Sequence, residues 1–258
     1  LKMPSNKKLL QAAAGSAGDS LYVEDVFSTY LYDGNGSTQT IDNGIDLSGE
    51  GGMVWIKRRD SAASNNVMDS ERGNGNILTT DTTDPSYALG RISIPASGTG
   101  FDLTNNSSST NFSSPPPGTY ASWTFRKAEK FFDVVGPYTG DGVAGRTVAH
   151  NLGSVPAVII VKRTDSSANW QVYASSLGAT QYLNLDLTNA AAASSARWNN
   201  TAPTDSVFTT GAGGGVNNSG GSFVAYLFAS DAGGFGDDGS ENIIKCGSLT
   251  TDGSGLGT

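Results

Sequence analysis

Covalent or acid–base catalysis would have to be built from very few groups in this chain. It has a single histidine, His150, in "VAHNLGSVP", and a single cysteine, Cys246. A Ser-His-Asp or Cys-His centre needs a nucleophile, a base and an orienting group in one place. The two residues stand far apart in the sequence, and His150 precedes a Gly-Ser turn. Zinc needs three or four His, Cys or carboxylate ligands, which this supply does not favour. Calcium takes oxygen ligands from flexible loops, and "SDAGGFGDDGSEN" places Asp231, Asp237, Asp238 and Glu241 together. That spacing is not the alternating EF-hand pattern, so neither a metal nor a cofactor is expected. No motif pairs two carboxylates across a groove for glycoside hydrolysis, and no phosphate-cradling glycine motif leads from a strand into a helix. The expectation is therefore a protein that is not an enzyme. Trp170, Tyr173, Tyr182 and Trp198 have side chains able to stack on sugar rings, which makes them the candidate glycan contacts.

The elements that would position these residues are short strands. The chain has 258 residues, 34 of them Gly, and it is rich in Ser, Thr, Asn and Asp. Such a composition gives many turns and little sustained helix. With Asp and Glu at 24 against Lys and Arg at 16, the net charge is −8. The basic clusters Lys7-Lys8, Lys57-Arg58-Arg59 and Lys162-Arg163 are isolated, which argues against a nucleic-acid face. A lone cysteine excludes an internal disulfide, and no window reaches the ~18 apolar residues of a membrane helix. The longest helix candidate after the N-terminal stretch is "TNAAAASSARW" (188–198), good for one to three turns on its alanines.

The strands come in a repeated order. "VWIKRRDSAASNNVMDSERG" (54–73) is echoed by "VIIVKRTDSSANWQVYASSLG" (158–178). Tyr138 follows Tyr32 by 106 residues, Lys162 follows Lys57 by 105, and Tyr226 follows Trp123 by 103. A near-constant offset over so long a span is a tandem duplication, too long in period for a solenoid. His150 falls opposite Asn43 or Gly44 of the first copy, an exchange that suits a turn better than a catalytic base. Trp170 and Tyr173 fall opposite Asn66 and Asp69, a difference that points to recognition by the second copy. The expected fold is all-β, with two tandem jelly-roll-like β-sandwich domains. Residues 1–20 form a leader, 21–136 repeat 1, 137–247 repeat 2, and 248–258 the opening of a third repeat.

The phrases "GDGVAGRTVAHNLGSVPAVIIVKRTDSSANWQVYASSLG" and "GSFVAYLFASDAGGFGDDGSENIIKCGS", with the leader "NKKLLQAAAG", resemble a repeated domain of marine and cyanobacterial bacteriophage tail-fibre and virion-associated proteins. The resemblance covers most of residues 6–258 and is strongest in the second repeat. It implies an extracellular, virion-borne structural protein, the particle-proximal part of a tail fibre. On that reading the leader docks to other tail or baseplate subunits through Lys7, Lys8, Leu9 and Leu10. Fibres of this kind are commonly homo-oligomers, with a trimer favoured. The alternatives are a carbohydrate-binding module gripping host surface glycan and, more distantly, a glycan depolymerase. No nucleic acid, membrane insertion or cofactor is implied.

Overall fold

The computed structural model describes residues 20–104 and 106–249. The docking candidates Lys7, Lys8, Leu9 and Leu10 and nearly all of the third repeated phrase lie outside the described residues. The first run of elements is α1 (Val23–Val26), β1 (Phe27–Asp33), β2 (Gln39–Ile41), β3 (Gly52–Arg58), β4 (Asn66–Asp69), β5 (Asn76–Thr79), β6 (Tyr87–Ala88), β7 (Ile92–Ser93), β8 (Phe101–Leu103) and β9 (Thr119–Arg126). The second is β10 (Phe132–Thr139), β11 (Arg146–Ala149), β12 (Val158–Arg163), β13 (Gln171–Ala174), β14 (Gln181–Asn184), β15 (Ala192–Ala193), α2 (Ser195–Trp198), β16 (Val207–Thr210), α3 (Gly214–Asn217) and β17 (Ser222–Phe228). The fold is all-β, as expected. The alanine-rich stretch gives only one helical turn, α2, whose N-cap Ser194 accepts from the Ala196 N–H.

Each run builds one large sheet and one small one. The large sheets have the orders β1-β9-β3-β4-β5-β6 and β10-β17-β12-β13-β14-β15, so position by position the second repeats the first. Every pairing is antiparallel, and Trp55↔Trp123 on β3 and β9 matches Ile160↔Tyr226 on β12 and β17. This register sets Trp170 opposite Asn65 and Tyr173 opposite Met68, one position from where a fixed sequence count places them. Sheet membership changes at residues 127–131, so the expected boundary after residue 136 lies inside β10.

The layers follow from which faces are apolar. The small sheet β2-β8-β7 covers the outer face of the first large sheet, burying Ile41, Phe101 and Ile92 against Val54, Ile56 and Tyr120. The pair β11-β16 does the same for the second, with Val148 and Phe208 against Ile159, Val161 and Phe223. The two inner faces then close on each other: Met53, Val67 and Leu78 of the first large sheet meet Val134, Val224, Tyr226 and Phe228 of the second. The repeats are thus fused along a third core, and do not hang as separate beads. The sequence carries the physical reason. "FVAYLF" (223–228) of β17 is a continuous apolar run, and such a run is what a strand buried on both faces requires.

Candidate functional site

The repeated Lys-Arg-x-Asp phrase is a structural clasp in both copies. Arg58 pairs with Asp60 through Nε at 2.9 Å and Nη2 at 3.0 Å. Arg163 pairs with Asp165 at 2.8 and 3.0 Å in the same two-pronged way. Each carboxylate also accepts a backbone N–H, from Thr119 at 3.1 Å for Asp60 and from Ser222 at 3.0 Å for Asp165. The loop after β3 or β12 is thereby tied to the start of β9 or β17. Hydrogen bonding from Arg163 holds the Asp165 carboxyl down at about 2. The basic residues are engaged within the fold and do not form an open anion site.

The candidate glycan contacts are mostly interior, which corrects that expectation. Trp170 and Trp198 are 1% exposed and Tyr173 is 4% exposed, so none offers a free ring face. Tyr173 packs edge-on against Trp198 at 5.9 Å beneath the small sheet, while Tyr182 is half-buried with the Arg197 guanidinium 4.9 Å above its ring. The half-exposed tryptophans are Trp55 and Trp123, edge to face at 6.5 Å. Sequence reasoning passed over them because alternation along a strand gives the face a residue occupies, not what covers that face.

His150 does the work of an asparagine. Its Nδ1 accepts the Leu152 N–H at 3.3 Å, and Nε2 faces the Thr204 carbonyl at 3.3 Å. Those partners assign the Nε2–H tautomer. In the first repeat, Asn43 Oδ1 likewise accepts the N–H two residues on, from Ile45 at 3.1 Å. Burial pulls the His150 pKa down, so the ring is neutral and both nitrogens are used. Cys246 is similarly passive: burial raises its thiol pKa, and Sγ contacts the Ala229 carbonyl at 3.4 Å. In the acidic loop, Asp231 pairs with Lys245 at 3.0 Å, Asp238 caps Ser240 and Asp237 accepts from the Tyr22 hydroxyl. Among the described residues, no group of three or more His, Cys, Asp or Glu side chains could hold a metal ion.

The densest polar chemistry lies on the seam between the repeats. Asp69 Oδ2 accepts from Arg72 Nε at 2.6 Å and from the Tyr226 hydroxyl of the other repeat at 2.6 Å. Arg72 adds bonds to the Asn76 and Val67 carbonyls and to the Ser86 hydroxyl. With the carboxylate fully buried and the guanidinium 3% exposed, this is an interior charge pair with its fork filled. Trp170 Nε1 donates to the Thr79 and Thr82 carbonyls of the first repeat at 3.0 and 3.2 Å. Lys162 Nζ donates to the Thr83 carbonyl at 2.8 Å and, within its own repeat, to the Ala168 carbonyl at 2.6 Å. Burial lowers the Lys162 pKa to about 8 against the opposing pull of Asp186 and Asp84.

One side of the seam opens into a cleft of about 210 Å³, lined by Glu71, Lys127, Asp133, His150 and Asn151. Lys127 Nζ is 2.9 Å from Glu71 and 3.8 Å from Asp133, whose Oδ2 accepts the Asn151 N–H at 2.8 Å. Burial opposes the Lys127 charge, but the Glu71 and Asp133 carboxylates outweigh it and raise the pKa. A lysine held as an ammonium is a poor base or nucleophile. The cleft brings charges together without assembling a nucleophile, a free base and an oxyanion site.

Fold and seam together define an all-β protein made of two like sheets joined face to face, with Asp69, Trp170, Lys162 and Tyr226 bonded across the joint. The chain belongs to the family described as Domain of unknown function (DUF7483), whose model matches residues 23–253. That range takes in both repeats and the seam. No curated protein and no solved structure matches the chain. Among the described residues, no helix is long and apolar enough to cross a membrane.

Proposed function

We propose that this protein is a structural module of a bacteriophage virion, the particle-proximal part of a tail fibre that docks to other tail or baseplate subunits and carries distal host-recognition domains. The observation that supports the reading best is the seam. Two copies of one fold share a core and are cross-tied by Asp69, Arg72, Trp170, Lys162 and Tyr226, which makes a stiff block suited to holding a fixed geometry under load. Titratable groups that could serve chemistry are instead engaged in holding loops and carbonyls. The turn-rich, acidic composition and the resemblance in the second repeat add to the same reading. Cryo-electron microscopy of particles carrying a labelled copy tests it. Density for the label near the tail is expected, and particles that assemble and infect normally without the gene product would overturn the assignment.

A lectin-like role rests on a different observation, the half-exposed Trp55–Trp123 pair. On a glycan array, binding abolished by Trp123→Ala but kept in Tyr182→Ala would favour it.

A further inference from the structure

The turn at residues 150–153 holds the linker that joins the two repeats. Its Leu152 carbonyl accepts the Lys130 N–H at 2.6 Å, and its Asn151 N–H donates to Asp133 Oδ2 at 2.8 Å. Both partners lie on or beside residues 127–131, where the chain passes from one large sheet to the other. Lys130 has a φ of +63°, a left-handed conformation that a non-glycine residue keeps only when its surroundings fix it. The turn is closed by one side chain, His150, which is 6% exposed and whose Nδ1 accepts the Leu152 N–H at 3.3 Å. Nε2 faces the Thr204 carbonyl at 3.3 Å and so carries the ring's proton. The first repeat closes the equivalent turn with Asn43, whose amide oxygen accepts the Ile45 N–H at 3.1 Å. There the Ile45 carbonyl accepts the Gly100 N–H at 2.7 Å, within the same repeat. Only the second turn grips the linker, and only its acceptor can be protonated.

We propose that His150 is an acid-sensitive latch on the joint between the repeats: a proton on Nδ1 ends the Leu152 bond, opens the turn and frees the linker. A neutral imidazole accepts at one nitrogen, whereas an imidazolium donates at both and accepts at neither. The added proton meets the Leu152 N–H head on, so the charged ring fits only if it or the turn swings away. Asn43 lacks this chemistry, because a side-chain amide does not titrate in this range. Burial holds the ring's pKa below its ordinary 6.5, against the Thr204 carbonyl and the carboxylates of Asp133 on β10 and Asp205 before β16, which favour the cation. Lys127 lies across the cleft with its charge matched by Glu71. The opened turn therefore takes up the proton more readily than the closed one, and closure is lost as pH falls below about 6.5. Carboxylates ordinarily titrate at about 4, and His150 is the chain's one histidine, so the interval between belongs to this latch.

Hydrogen exchange of the full chain, corrected for the intrinsic effect of pH, tests this. From about pH 7.5 down to about pH 5, the Lys130, Asn151 and Leu152 amides are expected to lose protection, while Ile45 and Gly100 at the first turn keep theirs. His150→Asn, which installs the first repeat's acceptor, should keep all of these amides protected across the range. Its thermal midpoint at the higher pH shows whether the fold is intact. Nitrogen NMR of the wild-type ring gives a readout that needs no variant: the Nε2–H tautomer at neutral pH, and a titration that coincides with the loss at Leu152. An equal acid loss in His150→Asn would sink the proposal. A ring that titrates while the Lys130 and Leu152 amides stay protected would do the same, as would an Nδ1–H tautomer at neutral pH.

Discussion

At the scale of single residues, the seam depends on groups that are safe only in company. Asp69 is fully buried, and its charge is balanced by Arg72 and the Tyr226 hydroxyl. Asp69→Asn leaves the buried guanidinium without its counter-charge, which is expected to cost about 3–5 kcal/mol. Tyr226→Phe removes one hydrogen bond and keeps the ring, and should cost about 1–3 kcal/mol. Urea denaturation of the two variants checks the order, and equal losses would mean that the charge pair is not the controlling element. Lys162 adds a pH signature. Its folded pKa of about 8 lies below the ordinary lysine value of 10.5, so between those limits the unfolded chain binds more protons. The sign of the linkage makes stability rise with pH across that window. Lys162→Met should flatten the rise in denaturation curves collected from pH 7 to 10.5.

At the scale of elements, the two copies close their turns in the same way. Tyr32 and Tyr138 donate their hydroxyls to the carbonyls of Thr110 and Val216, each 78 residues on. The glycines that follow, Gly34 and Gly140, pass so close to Phe112 and Asn218 that a Cβ would strike backbone. Gly140→Ala is therefore expected to destabilise by about 2–4 kcal/mol, read as a lowered thermal midpoint, whereas Gly178→Ala, with open space around it, should lose only the smaller penalty of its positive φ. These turns were legible from "YDGNG" and "YTGDG", because turn chemistry is local. The clasp was not. A Lys-Arg-x-Asp spacing says that Asp165 lies near Arg163, but not that its other oxygen-bonding partner is the N–H of Ser222, far along the chain.

At the scale of the whole molecule, the repeats should behave as one cooperative unit. Cutting the chain between β9 and β10 would bare Met53, Val67 and Leu78 on one side and Val224, Tyr226 and Phe228 on the other. Calorimetry of the intact chain is expected to show a single transition with calorimetric and van't Hoff enthalpies in agreement. Residues 21–126 expressed alone should aggregate or bind hydrophobic dyes. Two resolved transitions, or a well-folded lone repeat, would show the seam to be weaker than its burial implies.

The sequence by itself determined the all-β class, the duplication and the turns. All of these depend on neighbours within a few residues or on comparing one stretch with another. Only the tertiary structure decided that the two copies pack face to face and that Trp170 is a strut bonded to Thr79 and Thr82. Burial is a property of two surfaces brought together. A strand's own residues record that a face is apolar, but the partner that covers it belongs to a distant part of the chain.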